Sequence, residues 1–107
     1  MAQVPNHDFT LSSVQEGQQH CLYLAGDVTR HQVVQVREQA ETILSELPAN
    51  ADVSLDWSGV ADFDSSTLSL WLCLQRFTKL RGQSLKAKQA PDALLQSAQV
   101  VGLATLF

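Results

Sequence analysis

A chain of 107 residues is one domain, long enough for a single core and too short for two. Its 45% hydrophobic and 17% charged residues exclude a disordered segment, and a net charge of −4 argues against general nucleic-acid binding, which needs a basic surface. The start, M-A-Q-V-P-N-H-D, has neither the basic nor the apolar part of a secretory leader, and residues 1–8 are expected to be flexible.

Phe9 to Val14 and Cys21 to Ala25 are short apolar-rich runs joined by the polar turn Q-E-G-Q-Q, which predicts a β-hairpin whose second strand ends at Gly26. Thr29 to Gln32 has capping-box spacing, a hydroxyl followed three residues later by Gln. Behind it Val33, Val36, Ala40, Ile43 and Leu47 form one helical stripe, with Gln35, Glu38, Gln39 and Glu46 facing water and Pro48 and Asn50 closing the helix. Val53, Leu55 and Trp57 alternate with Ser54 and Asp56 as in a strand. The loop S-G-V-A-D-F-D then leads to a helix from about Ser66 to Leu80, with Gly82 suited to a left-handed C-terminal cap. S-L-K-A-K, Ser84 to Lys88, reads as a short strand, and Pro91 as the first turn of a helix carrying Leu94, Leu95 and Ala98. The last residues, V-V-G-L-A-T-L-F, are apolar enough to be expected against the core. The order β-β-α-β-α-β-α predicts a single layered α/β domain, with a mixed sheet of four to five strands and three to four helices.

The helix after Asp64 has apolar residues on both sides. Leu70, Cys73, Leu74, Phe77 and Leu80 form the natural core face, while Leu68, Trp71 and Leu72, with Gln75 and Lys79, lie on the other. Either the final helix or tail covers this second face, or it is a docking patch for a partner, since interface centres favour Trp and Leu. At its entrance stand Asp62, Asp64, Ser65, Ser66 and Thr67. One serine suffices for capping. The helix dipole gives Asp64 a stabilising role of its own.

Enzymatic chemistry has little to stand on. His7, His20 and His31 all fall in the first third, and no G-x-S-x-G elbow surrounds Ser65. Neither a G-x-x-x-x-G-K-[ST] nor a G-x-G-x-x-G run is present, so no nucleotide cofactor is expected. Asp56, Asp62 and Asp64 suit turns and caps better than a metal, and none is expected. Cys21 and Cys73 have no C-x-x-C context, and each sits in an apolar segment, so free thiols of a reducing cytoplasm are expected over a disulfide between them. The longest apolar run, Leu68 to Leu74, is far shorter than the ~20 residues that cross a bilayer. Five of the seven Lys and Arg residues fall between Arg76 and Lys88, where helix-end cations and edge-strand lysines account for part and an anionic partner or lipid surface is the alternative.

L-D-W-S-G-V-A-D-F-D-S-S-T-L, Leu55 to Leu68, resembles the signature of the STAS domains, the fold of anti-sigma-factor antagonists: a strand ending in Asp, then S-G-V, then D-S-S-G-L opening a helix. The similarity continues through R-G-Q-S-L-K-A to the closing G-L-A-T-L-F. The resemblance implies a non-catalytic, cytoplasmic protein-interaction domain in which Ser65 is the regulatory hydroxyl. In the antagonist branch that position is phosphorylated by a kinase partner. In the MlaB-type branch the same loop and helix bind the cytoplasmic ATPase of a phospholipid-transport ABC complex, so that any membrane association runs through the partner. The expected contact residues are Asp64, Ser65, Ser66, Thr67, Leu68, Trp71, Leu72 and Gln75. Thr67 replaces the family glycine, and this departure, with the short chain, favours the MlaB-type branch.

Overall fold

The structure, a computed structural model, describes residues 9–102. Four strands lie in the order β1-β2-β3-β4: β1 (Phe9–Glu16), β2 (Gln19–Val28), β3 (Asp52–Phe63) and β4 (Ser84–Lys88). Three helices, α1 (Val33–Glu46), α2 (Ser65–Leu80) and α3 (Asp92–Val100), complete the order β-β-α-β-α-β-α. β1 and β2 form the expected hairpin, turning where Gly17 adopts a φ of 64°. β2, β3 and β4 are parallel, and the order steps one way across the sheet. Right-handed crossovers therefore place α1 and α2 on the same face.

That face supplies the core. His20, Val53 and Leu85 share one row across the parallel strands, and Leu22, Leu55 and Ala87 the next. Val36, Ala40 and Leu44 of α1 and Leu68, Leu70, Trp71 and Leu74 of α2 close over them, and α3 adds Leu94 and Ala98. Leu44, fully buried, belongs to the α1 stripe beside the half-buried Ile43 and Leu47. The chain after α2 anchors the end of α1. Arg81 Nη2 donates to the carbonyls of Ser45 (3.1 Å) and Leu47 (3.3 Å), and Gln83 Nε2 to those of Leu44 (3.0 Å) and Pro48 (3.2 Å). Arg81, counted above among a basic run, is thus a cap for α1. Gly82, at φ 74°, ends α2 as predicted: its N–H meets Lys79 O and that of Gln83 meets Thr78 O, a Schellman closure.

Three expectations fail. β2 does not stop at Gly26 but runs on to Val28, pairing Gly26 with Val60. The stretch S-G-V-A-D-F is not a loop either, since β3 continues to Phe63. Its register slips twice against β2, each time by one extra residue of β3, and a bulge lets a strand absorb residues that break strict alternation. Gly59 sits at the first slip, where a Cβ would lie 2.8 Å from Ala25 Cβ. Finally, Val100 and Val101 of the apolar end are exposed rather than packed on the core. The rest of that end, Leu103 to Phe107, and the flexibility expected of residues 1–8 lie outside the described residues.

Candidate functional site: the entrance to α2

β2 and β3 are parallel and pair Val28 with Phe63, so the chain leaves both strands at one edge of the sheet. Such an edge, beyond the carboxyl ends of parallel strands, is the habitual place for binding in open α/β sheets. Asp64, in extended conformation (φ −146°, ψ −166°), is the N-cap of α2, and Ser65 and Ser66 are its first helical residues rather than caps. Ser66 N–H donates to Asp64 Oδ1 (2.8 Å), while Asp64 N–H donates to Thr67 Oγ1 (3.1 Å), closing a reciprocal capping box.

Two further bonds bind this entrance to the end of β2. Arg30 N–H donates to Asp64 Oδ2 (3.0 Å), and Thr67 Oγ1–H donates to Val28 O (2.6 Å). The turn between β2 and α1 is thereby fixed beside Ser65, although it is 34 residues away from Asp64 in the chain. Within that turn Gln32 Oε1 accepts from Thr29 N–H (3.0 Å) and from Thr29 Oγ1 (2.6 Å), so the predicted T-R-H-Q box orders the approach to α1. Partial burial works to raise the Asp64 pKa, but the N–H donors of Arg30 and Ser66, the Ser66 hydroxyl and the Arg30 charge together hold it below the ordinary carboxylate value. The other two acids act locally. Asp62 Oδ1 accepts from Phe63 N–H (2.9 Å) and Asp56 Oδ1 from Ser58 N–H (2.8 Å). Among the described residues no three His, Cys, Asp or Glu side chains could hold a metal ion.

Ser65 is exposed and Ser66 half-exposed at this edge, but the remaining expected contact residues are placed otherwise. Thr67 is fully buried and serves the clasp just described. Leu68 and Trp71 are buried at 6% and 1% exposure, and Trp71 meets Trp57 edge-to-face at 5.6 Å between centroids. Leu72 is half-buried. Half-buried Gln75 donates to Leu85 O (2.8 Å), joining α2 to β4. The outward docking flank is therefore corrected: the far side of α2 is core, and the expected core residue Leu80 is 84% exposed. The helix is rotated about its axis from the assignment made by apolar count, because Trp71 fills the space over Trp57 that no smaller side chain of α2 would fill.

The exposed apolar groups beside Ser65 come instead from α3. A hollow of about 330 Å³ is lined by Phe63, Asp64, Ser65, Leu68, Ser97 and the exposed Val100 and Val101. The exposed Arg30 joins this entrance through its N–H bond to Asp64, and the exposed His31 follows it in the same turn. These neighbours were missed because T-R-H-Q was read only as a cap. Their signal was the parallel order itself, which brings the ends of β2 and β3 together. His31 N–H donates to Thr29 Oγ1 (3.3 Å), and among the described residues no hydrogen bond joins His31 to Ser65.

The sequence model of the family described as "Mlab, STAS domain" matches residues 11–107. This chain belongs to the STAS-domain family. Similar solved folds include an anti-sigma factor antagonist from Mycobacterium paratuberculosis, with a TM-score of 0.71 at 15% identity over 92% of this chain and 82% of that one. The anti-sigma factor antagonist SpoIIAA in its unphosphorylated form superposes with a TM-score of 0.70 at 16% identity, covering 91% and 84%. The Bacillus cell-fate determinant SpoIIAA in the phosphorylated form gives 0.63 at 19% identity, covering 92% and 86%. At these identities the STAS fold is what is shared. Comparison with curated protein sequences gives no match.

Proposed function

We propose that this STAS domain is a non-catalytic, cytoplasmic subunit that binds and regulates the ATPase of a phospholipid-transport ABC complex of the Mla type. The observation that carries the reading is the exposed Ser65 at the head of a helix that the domain itself clasps to the end of β2, in a chain matched over residues 11–107 by an Mlab family model. The proposed contact consists of Ser65 and Ser66, the turn residues Arg30 and His31, and the apolar hollow ending at Val100 and Val101. Asp64, Thr67 and Leu68 support it from beneath. Small hydroxyls let a partner approach closely, while the valines supply apolar anchorage.

A second reading has its own support: a similar fold has been solved phosphorylated. As an anti-sigma-factor antagonist, the domain would be switched at Ser65. A phosphate there adds roughly −1.5 to −2 charge. The positive end of the α2 dipole tolerates it within the domain, whereas a partner surface fitted to a neutral hydroxyl does not.

Co-purification from native cells separates the two readings. An ATPase with its permease is expected, and recovery of only a kinase-type anti-sigma factor overturns the transport reading. Under both, Ser65→Glu lowers affinity about tenfold or more, ~1.4 kcal/mol, with the melting temperature nearly unchanged. Undiminished binding by Ser65→Glu removes this surface from the contact.

A further inference from the structure

A second exposed apolar region lies away from the Ser65 hollow, in the cleft between α1 and α2. The two helices run in the same direction, because each returns from the end of one parallel strand to the start of the next. Two hollows of about 220 and 240 Å³ lie end to end in this cleft and share Arg37 and Cys73. Val34, at the first hollow, is 57% exposed, and Leu80, at the second, 84%. Neither position is needed to hold its helix on the sheet.

Charge sharpens the picture. Glu41 of α1 and Arg76 of α2 line the second hollow from its two walls. Glu41 sits 4.0 Å from Arg37, an exposed i,i+4 pair, while Arg76 has no acidic partner among the described residues. A protein that presents an acid to the unpaired Arg76, a base to Glu41 beside its Arg37 contact and an apolar surface between them matches this cleft. This cleft itself carries that set, in mirrored order across its two walls.

We propose that the cleft is a self-association face, on which a second copy packs with its α2 over the first copy's α1 about a two-fold axis running along the cleft. Because α1 and α2 are parallel, that axis keeps residues at equal height together. Glu41 of each copy meets Arg76 of the other, so the charge pair forms twice. Leu80 of each copy enters the hollow walled by Phe77 and Leu80 of the other, and Cys73, on the floor shared by both hollows, lies beside the axis.

The size of the contact sets its strength. From Ser66 to Leu80 the cleft runs about 21 Å at 1.5 Å per residue, and two helices are roughly 20 Å wide. The footprint, about 400 Å² per copy, is half of the ~800 Å² typical of a stable complex. The dimer is therefore reversible and concentration-dependent.

Sedimentation velocity over about a hundredfold concentration range tests it. The expected result is a mass rising from the 11.7 kDa monomer towards twice that value. A short bis-maleimide should trap a covalent dimer through Cys73, because Cys21 is only 4% exposed, and Cys73→Ser should abolish the crosslink while keeping the mass increase. Glu41→Arg and Arg76→Glu should each return the protein to a monomer, and the double reversal should restore the dimer. Leu80→Asp, on an exposed side chain, should do what the single reversals do without disturbing the fold. A monomeric mass throughout overturns the proposal, as does a dimer that survives the single reversals or is not restored by the double one.

Discussion

Thr67→Val tests whether the α2 entrance is clasped to the end of β2. Valine has nearly the volume of threonine, so the fully buried site gains no cavity, but the hydroxyl disappears. Two bonds go with it, the 2.6 Å donation to Val28 O and the 3.1 Å bond accepted from Asp64 N–H. Each such bond contributes about 0.5–1.5 kcal/mol net, and a buried carbonyl or N–H left unpaired costs about 1–3 kcal/mol. A loss of ~2–4 kcal/mol is expected. For a domain of this size 1 kcal/mol corresponds to about 4–8 °C in melting temperature, so the midpoint should fall by roughly 8–32 °C. Thr67→Ser keeps both bonds and loses one methyl group, and should fall by about 1 kcal/mol. Denaturant titration followed by circular dichroism measures all three proteins. If Thr67→Val matches the wild type, or if Thr67→Ser is as unstable as Thr67→Val, the hydroxyl does not hold this entrance and the clasp is wrong.

Trp71→Ala should destabilise the domain by ~3–5 kcal/mol, because the ring is buried against Trp57; a partner-binding defect in a normally stable variant would return Trp71 to the surface. Gly59→Ala forces a Cβ to within 2.8 Å of Ala25 Cβ and should cost about 1–3 kcal/mol, a loss that the unfolding midpoint reports. Asp64 has a folded-state pKa below its unfolded value, so its contribution is fully present above the ordinary Asp range and is lost as pH falls through the lowered folded value. The stability gap between wild type and Asp64→Asn, measured by urea titration at a series of pH values, should therefore be widest near neutrality and narrow in acid. A gap independent of pH would place the effect of the substitution elsewhere than in the carboxylate charge.

What the residues alone determined is local or periodic. The alternation of Val53, Leu55 and Trp57, the α1 stripe and Gly82 after α2 each act through neighbours within a turn or a strand, and all recur in the structure. The parallel order and the Ser65 edge follow from the element sequence, since crossovers have one hand. Tertiary structure decided the rest. Which of two apolar sides of α2 would be buried depended on Trp57, which lies on another element, and no periodicity within α2 contains that information. The same holds for Thr67, read as one hydroxyl too many until Val28 O stands 2.6 Å away. Arg81 looked like part of a basic surface because its acceptors, the carbonyls that end α1, lie more than thirty residues upstream. Patterns of side chains fix what a segment becomes, but the partner of a polar or aromatic group across the core exists only once the chain has closed.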